Sequence, residues 1–176
     1  MDALRFLVDS VLTFLVYAFL LRVLLQLSRA DFRNPLAQAV LALTSWLVMP
    51  LRRVLPPAGR FDTASFVALV VIQLVATLVM FRLRAGALPP PFPLMVAALR
   101  SLAHSTLLLY TILIFVYALL SFVAPGARSP ATSLLVSLCE PVLRPLRRVL
   151  PIVGGLDLSP LVAIVGLTAL RILLTS

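Results

Sequence analysis

The sequence predicts an all-α integral membrane protein with four transmembrane helices, arranged as two parallel two-span repeats that each carry a short interfacial amphipathic helix. Of the 176 residues, 62% are hydrophobic and 12% are charged, whereas soluble domains average about 45–50% apolar and about 25% charged residues. The apolar residues form long blocks, and one seven-residue motif occurs twice. These observations argue against a secreted disulfide scaffold, a disordered chain and a soluble enzyme.

Four apolar blocks are long enough to cross a bilayer, which requires about 20 residues at a rise of about 1.5 Å each. They cover residues 4–27, 63–81, 101–124 and 158–174. The first block is too long for the hydrophobic region of a signal peptide, and no small-residue cleavage site follows it, so we interpret it as a retained span. The fourth block is the shortest, and Arg171 near its end is expected to snorkel to the nearer interface.

Two further apolar segments, residues 35–49 and 130–143, are predicted to be helices too short to span. Each follows a capping residue and opens with proline at the first helical position, as Asn34-Pro35 and Ser129-Pro130. The second segment carries Ser133, Ser137, Glu140 and Arg144 at spacings of 4, 3 and 4, which form one polar stripe on a helix. Such helices are expected to lie in the membrane interface or against the spans.

An internal duplication organises the chain. The sequence PLRRVLP at residues 50–56 recurs at residues 145–151, an offset of 95, and Asp62 matches Asp157 at the same offset. The predicted repeats are residues 1–81 and 94–176, joined by a proline-rich, extended linker over residues 82–93. Because each repeat crosses the membrane twice, both PLRRVLP segments are expected on one side.

The arginines orient the molecule. All 15 basic residues are arginines, and the net charge is +9. Nine lie on the PLRRVLP side: Arg29, Arg33, Arg52, Arg53, Arg60, Arg128, Arg144, Arg147 and Arg148. Five lie on the opposite side: Arg5, Arg82, Arg84, Arg100 and Arg171. The positive-inside rule then places the PLRRVLP loops in the cytoplasm and both termini outside. Arginines at the ends of apolar blocks favour lipid phosphates as partners, and not nucleic acid.

The repeated motif allows two interpretations. The first proline is expected to end the preceding helix, and Asp62 and Asp157 are expected to cap the spans that follow. Two adjacent arginines cannot share a helix face, so one would point towards lipid phosphate and the other towards the aspartate. The four arginines Arg52, Arg53, Arg147 and Arg148 are therefore either stop-transfer charges with capping salt bridges or a paired site for anionic headgroups or a partner.

A few polar residues lie inside or beside the predicted spans. Asp9 could pair with Arg171 within the membrane, or it could be an interfacial acid that helps to start a helix. Arg22 and Gln26 are expected to snorkel towards the cytoplasmic interface. Gln73 is expected to bond to a neighbouring helix.

No arrangement of residues predicts catalysis or a bound cofactor. The sequence has no glycine-rich phosphate loop, no metal-ligand spacing and no nucleophile with a histidine near it in sequence. The lone His104 is interpreted as structural, and the single cysteine, Cys139, cannot form an internal disulfide. We therefore expect a protein that is not an enzyme, with no catalytic, cofactor-binding or metal residues.

These motifs resemble the YggT family of bacterial and plastid membrane proteins, also called YlmG-like. The resemblance rests on Asn34-Pro35, on Ser129-Pro130, on the twin PLRRVLP segments, and on the tail GGLDLSP at residues 154–160. The first copy of the tail lacks one glycine and the proline. The resemblance implies a fold of paired spans in the bacterial inner membrane. It also implies a link to membrane organisation, cell division, cofactor-protein assembly in plastids, or osmotic and ion homeostasis.

Two functions are therefore open. The first is a non-enzymatic membrane scaffold or assembly factor whose cytoplasmic arginine face binds anionic lipid or partner proteins. The second is an oligomeric channel or carrier for ions or osmolytes, which would require polar residues along a path. The scarcity of such residues in the spans favours the scaffold. The expected partners are anionic membrane lipids, a second copy of the chain or another membrane protein.

Overall fold

The regular structure of the chain is entirely α-helical over the residues that the computed structural model describes, namely 2–56, 62–86, 89–123, 126, 129–150 and 157–175. The helices are α1 (Asp2–Leu27), α2 (Pro35–Val54), α3 (Thr63–Ala85), α4 (Pro91–Val123), α5 (Pro130–Val149) and α6 (Ser159–Thr175). This confirms the predicted all-α class.

Three of these helices, α1, α3 and α4, are long and apolar enough to cross a membrane. They contain the first three predicted spans, although α4 begins ten residues earlier than the predicted block at residue 101. Helix α6 is apolar but has 17 residues, so it is about 25 Å long against a hydrocarbon core of about 30 Å.

Helices α2 and α5 are longer than predicted, because they continue through Pro50 and Pro145 to Val54 and Val149. The expectation that these prolines end the helices was wrong. A proline removes its own N–H from the helical ladder and crowds the carbonyl four residues before it, but the residues that follow keep their N–H groups. The last turns keep their bonds, with Leu55 N donating to Leu51 O at 2.8 Å and Leu150 N to Leu146 O at 2.9 Å. Most of each PLRRVLP motif is therefore helix and not loop.

The predicted extended linker over residues 82–93 is helical at both ends. Helix α3 runs to Ala85, and α4 already begins at Pro91. Prolines are compatible with the first turn of a helix, where their missing N–H would have no intrahelical partner. Pro91 and Pro93 both lie in that turn, and the first bond of the helix joins Leu94 N to Pro90 O at 3.2 Å.

Each long helix packs mainly against one other. Helix α1 packs against α3, and α4 packs against α6. Helix α2 lies against α1 and α3, α5 lies against α4 and α6, and contacts of α3 with α4 and of α2 with α5 join the two groups. Small buried residues of α3, Ala64, Ala68 and Ala76, belong to the same core cluster as large side chains of α1 such as Phe19. Small residues on one helix allow close backbone approach of its neighbour.

The two ends of this bundle differ in their contents. At the end that contains Arg52 and Arg147, which we call the motif end, α1 and α4 finish while α3 and α6 begin. The opposite end, which we call the distal end, contains the start of α1 and the end of α3. Between the ends, large apolar side chains such as Phe14 and Phe115 are exposed along the helices, which fits contact with lipid acyl chains.

The left-handed backbone conformation at the end of α3 can be tested by substitution. Gly86 caps the helix in the left-handed conformation, with φ of 69°, and donates from its N–H to Arg82 O at 3.0 Å. A Cβ atom is disfavoured there, so Gly86→Ala should lower the free energy of unfolding by about 1 kcal/mol. The matched control is Gly166→Ala within α6, where a Cβ would meet nothing within 4 Å; that change should stabilise by up to about 1 kcal/mol. Denaturation in detergent followed by circular dichroism measures both, and equal effects would contradict the assigned cap.

Candidate functional site

A buried arginine joins α1, α2 and α3 at the motif end. Arg22 is 3% exposed. Its Nε donates to Ser65 Oγ at 2.9 Å, and its Nη1 donates to Thr44 Oγ1 at 2.8 Å and to Leu41 O at 3.2 Å. The sequence suggested that Arg22 would snorkel to the interface. Arg22 is buried instead, because hydroxyl and carbonyl acceptors from two neighbouring helices replace water around it.

Ser65 connects this guanidinium to a carboxylate. The Ser65 hydroxyl accepts from Arg22 and donates to Asp62 Oδ2 at 2.8 Å. The same Oδ2 accepts from Gln26 Nε2 at 2.8 Å and from the guanidinium of Arg52 at the end of α2. We call these residues, Arg22, Gln26, Arg52, Asp62 and Ser65, the first cluster.

The first cluster keeps its carboxylate ionised. Burial alone would raise the pKa of Asp62, but the hydrogen bonds from Arg52, Ser65 and Gln26 outweigh it and lower the pKa to about 2. Asp62 is also the N-cap of α3, where it accepts a bond from Ser65 N at 3.2 Å. At neutral pH the end of α2 is thus held to the start of α3 by a charged pair.

An equivalent arrangement surrounds Arg147 at the end of α5. Its Nε donates to Asp157 Oδ2 at 2.8 Å, its Nη1 to Glu140 Oε2 at 3.0 Å, and its Nη2 to Tyr117 Oη of α4 at 2.9 Å. The guanidinium carbon also lies 5.8 Å from the centroid of the Tyr117 ring, within the range of a cation–π contact. We call these residues, Tyr117, Glu140, Arg147 and Asp157, the second cluster.

In the second cluster, hydrogen bonds shift the pKa values of Arg147 and Asp157 in the directions that keep both groups charged. Burial would lower the pKa of Arg147, but the bonds to Asp157 and Tyr117 raise it above its usual value. Burial would raise the pKa of Asp157, but the bonds from Arg147 and Ser159 lower it. Both groups therefore remain charged across the physiological pH range.

The two clusters carry opposite net charge. Arg22 and Arg52 face only Asp62 in the first cluster, which leaves one positive charge. Arg147 faces both Asp157 and Glu140 in the second, which leaves one negative charge. Glu140 corresponds to Ser45 at the offset of 95 residues, so a single difference on the short helix adds the extra carboxylate.

The four predicted lipid-binding arginines divide into two kinds. The first of each adjacent pair, Arg52 or Arg147, forms an ion pair with its aspartate, although Arg52 is itself exposed. The second, Arg53 and Arg148, is exposed, and each precedes a highly exposed valine. Of the four arginines, only the second of each pair is therefore free of an ion pair among the described residues.

The predicted caps lie where helices begin. Asn34 is the N-cap of α2 and accepts from Leu36 N at 2.9 Å, while its Nδ2 donates to Pro130 O at 2.6 Å. Ser129 is the N-cap of α5 and shares a capping box with Thr132. Asp157 accepts from Ser159 N at 2.9 Å at the start of α6. The bond from Asn34 to Pro130 also brings the starts of α2 and α5 together.

The predicted pair of Asp9 with Arg171 is not formed among the described residues. Helices α1 and α6 are not in contact there, because α4 packs against α6 while α3 packs against α1. Gln73 is buried on α3, and its Nε2 donates within its own helix to Thr77 Oγ1 at 3.1 Å, whereas the sequence suggested a bond to a neighbouring helix. The glycines of the tail at residues 154–155 lie outside the described residues.

Neither cluster offers ligands for a metal. Among the residues with described positions, no group of three or more His, Cys, Asp or Glu side chains could hold an ion. Cys139 is 1% exposed on α5. Burial raises the pKa of its thiol to about 12, although Arg147 offsets part of the effect, so the thiol is neutral and inert at physiological pH.

Comparison with known proteins places this architecture in a family. The sequence model of CCB3/YggT matches residues 1–83 and 96–176. The chain belongs to the CCB3/YggT family. The resemblance found in its motifs is thereby confirmed.

Several curated relatives in this family match along most of their length. The chain is 35% identical to the uncharacterized protein YggT of Escherichia coli K12 over 164 residues, which are 93% of this chain and 85% of that one. It is 37% identical to an uncharacterized protein of Pseudomonas aeruginosa over 155 residues, 88% and 79% of the two chains. It is 35% identical to a Vibrio alginolyticus protein over 170 residues, which are 95% of this chain and 90% of that one. No solved structure matches the chain.

The buried position of Arg22 can be tested directly. Arg22→Met should lower the free energy of unfolding by about 2–4 kcal/mol, because Ser65 and Thr44 lose their donor and the cluster loses a charge. Arg171→Met, an arginine near the end of α6, is the control and should change stability by less than about 0.5 kcal/mol. Unfolding in detergent measures both variants. An Arg22→Met protein as stable as the parent would show that the cluster does not hold the three helices together.

Proposed function

We propose that this protein is a non-enzymatic scaffold or assembly factor of the bacterial inner membrane, which binds anionic lipid headgroups through Arg53 and Arg148 at the motif end. In this proposal it crosses the membrane four times, as two tandem two-span repeats. The observation that carries the proposal is the division of each arginine pair. One guanidinium is used internally, and its neighbour is presented outward beside an exposed valine.

The position of α2 supports an interfacial surface. Arg22 lies five residues before the end of α1, about 7 Å along the helix, and it bonds to Leu41 and Thr44 in the middle of α2. The middle of α2 is therefore level with the last turns of α1. Amphipathic helices bind membranes with their apolar faces about 5–10 Å into the headgroup boundary, and the level of α2 beside the end of α1 is compatible with that depth.

The exposed residues of α2 are of the types that favour the membrane interface. Trp46 and Met49 are 59% and 61% exposed, and Arg53 follows Trp46 by seven residues, so the three share one helical face. Tryptophan is enriched at membrane interfaces, and an arginine on the same face can bind a phosphate above it. Val54 and Val149 are 78% and 81% exposed, so lipid is a better partner for these ends than an acidic soluble protein.

The contacts between helices support two repeats and a fourth span. The α1–α2–α3 group and the α4–α5–α6 group have the same internal pairing, and the bond from Asn34 to Pro130 sets both short helices at the same end. Helix α6 begins beside Asp157 at that end, as α3 begins at Asp62. Slight local thinning of the bilayer would accommodate its 17 residues.

Lipid binding can be measured with Trp46, which is the only tryptophan of the chain. In nanodiscs, brominated phosphatidylglycerol should quench its fluorescence more than brominated phosphatidylcholine does. Arg53→Gln should reduce this preference by up to about fivefold, because one arginine near an anionic surface contributes about 1 kcal/mol. The control is Arg100→Gln, an exposed arginine on α4.

The same experiment extends to the second short helix. A Trp46→Phe, Val149→Trp protein moves the fluorophore beside Arg148, where Arg148→Gln is the matched change. If Arg53→Gln and Arg148→Gln both leave the preference for anionic lipid unchanged, the exposed arginines are not a lipid site and the proposed function is wrong.

The proposed sidedness has its own test. Nine arginines at the motif side against five at the other side support a cytoplasmic Arg53 and an external Asp2. A membrane-impermeant maleimide should label Asp2→Cys in intact spheroplasts and should label Arg53→Cys only after lysis. Native Cys139 contributes no background, because it is buried and its thiol is neutral. The reverse pattern would invert the proposed orientation.

A further inference from the structure

A cavity of about 430 Å³ lies at the distal end between α1, α3 and α4, away from both arginine clusters. Its volume falls in the range of about 300–1,000 Å³ that is typical of small-molecule sites. Along α3 it extends from Gln73 to Arg84, about 16 Å of helix. The polar side chains that line it are Asp9, Thr13, Gln73, Thr77, Arg84, Ser101 and Ser105.

One polar side chain that lines this cavity has an atom without a partner among the described residues. The side chain of Gln73 is among those lining the cavity, and the residue is 4% exposed. Its Nε2 donates to Thr77, but its Oε1 is the buried side-chain oxygen for which the described residues supply no hydrogen bond. A buried carbonyl without a donor is costly, so such an atom in a native structure requires an explanation.

The cavity also contains one charge of each sign. Asp9 from α1 and Arg84 from α3 both line it, and no ion pair joins them among the described side chains. A simple cation in the cavity would be repelled by Arg84, and a simple anion would be repelled by Asp9. A ligand with both charges would satisfy the two residues together.

The unpartnered oxygen defines the cationic end of that ligand. Gln73 Oε1 is an acceptor only, so its partner must bring an N–H or O–H donor. A primary ammonium group can donate both to Asp9 and to Gln73, whereas a trimethylammonium group has no N–H to donate. We propose that the distal cavity binds a small zwitterion, with a primary ammonium group near Asp9 and Gln73 and an anionic group near Arg84.

Two sources could supply this chemistry, namely a free amino-acid-like solute and the headgroup of an aminophospholipid. Isothermal titration separates them with two matched pairs of probes: glycine with trimethylglycine, and phosphoethanolamine with phosphocholine. The protein is held in nanodiscs of phosphatidylcholine and phosphatidylglycerol, which contain no primary amine. In at least one pair, the member with N–H groups should bind at least about tenfold more tightly than its methylated partner.

Variants assign the binding to the cavity. Asp9→Asn and Gln73→Leu should each weaken binding of the primary amine by about tenfold or more, and Arg84→Gln should weaken it similarly. The controls are Asp2→Asn on the same helix as Asp9, and Gln38→Leu on α2, neither of which lines the cavity. Circular dichroism confirms that each variant is folded, and Asp9→Asn keeps the test valid if Gln73→Leu is unstable.

The outcomes distinguish the sources and can overturn the proposal. Tight binding of phosphoethanolamine that disappears when phosphatidylethanolamine is added to the nanodiscs identifies a lipid headgroup. Binding of glycine that is indifferent to that lipid identifies a free solute. The proposal is wrong if no primary amine binds, if methylated and unmethylated probes bind equally, or if the cavity variants bind like the parent.

Discussion

The arrangement of the motif end depends on the burial of a single guanidinium group. Arg22 lies inside an apolar bundle, where a charge without hydrogen bonds would be prohibitively costly. The chain supplies acceptors from α2 and α3, and these fix the positions of both helices along α1. The link through Ser65 to Asp62 then places a carboxylate at the start of α3, where Arg52 reaches it. Since adjacent helical residues differ in direction by about 100°, the pairing of Arg52 with Asp62 turns Arg53 away from that aspartate.

The second half of the chain reaches the same backbone arrangement with different side chains. Arg147 and Asp157 repeat the pairing of Arg52 and Asp62, but among the described residues no arginine is buried beside them in the way that Arg22 is. Tyr117 from α4 and Glu140 from α5 occupy the second cluster in its place. What the two halves share is therefore the charged link between the end of the short helix and the start of the next long one. The surrounding groups differ enough to reverse the sign of the net charge.

For the two short helices, local sequence signals predicted the beginning much better than the end. Asn34-Pro35 and Ser129-Pro130 combine a side-chain acceptor with a preset backbone angle, and both act within one turn of the chain. The end of a helix depends on tertiary contacts as well. Pro50 and Pro145 were expected to stop their helices, yet the ion pairs of Arg52 and Arg147 with aspartates ten residues further on hold the last turns in place.

The burial of Arg22 could not be predicted from α1 alone. Its partners come from 19 to 43 residues further along the chain, and only the fold brings them together. A weak signal was nevertheless present, because Arg22 and Gln26 are one turn apart on the same face and Asp62 and Ser65 open the next span. Polar residues confined to the same end of consecutive spans favour a shared cluster.

The polar residues within the helices therefore serve two different purposes. At the motif end each buried polar group that we describe has a partner within the chain, so the cost of burying it is offset by the folded protein itself. Gln73 differs, because one of its atoms is left without such a partner, at a cavity that also holds an acid and a base. Stability alone would favour a leucine at that position, since an apolar side chain carries no hydrogen-bonding requirement. The buried polar groups of the motif end therefore have a structural use, whereas Gln73 and the charged residues of the distal cavity are the ones that we propose to bind a ligand.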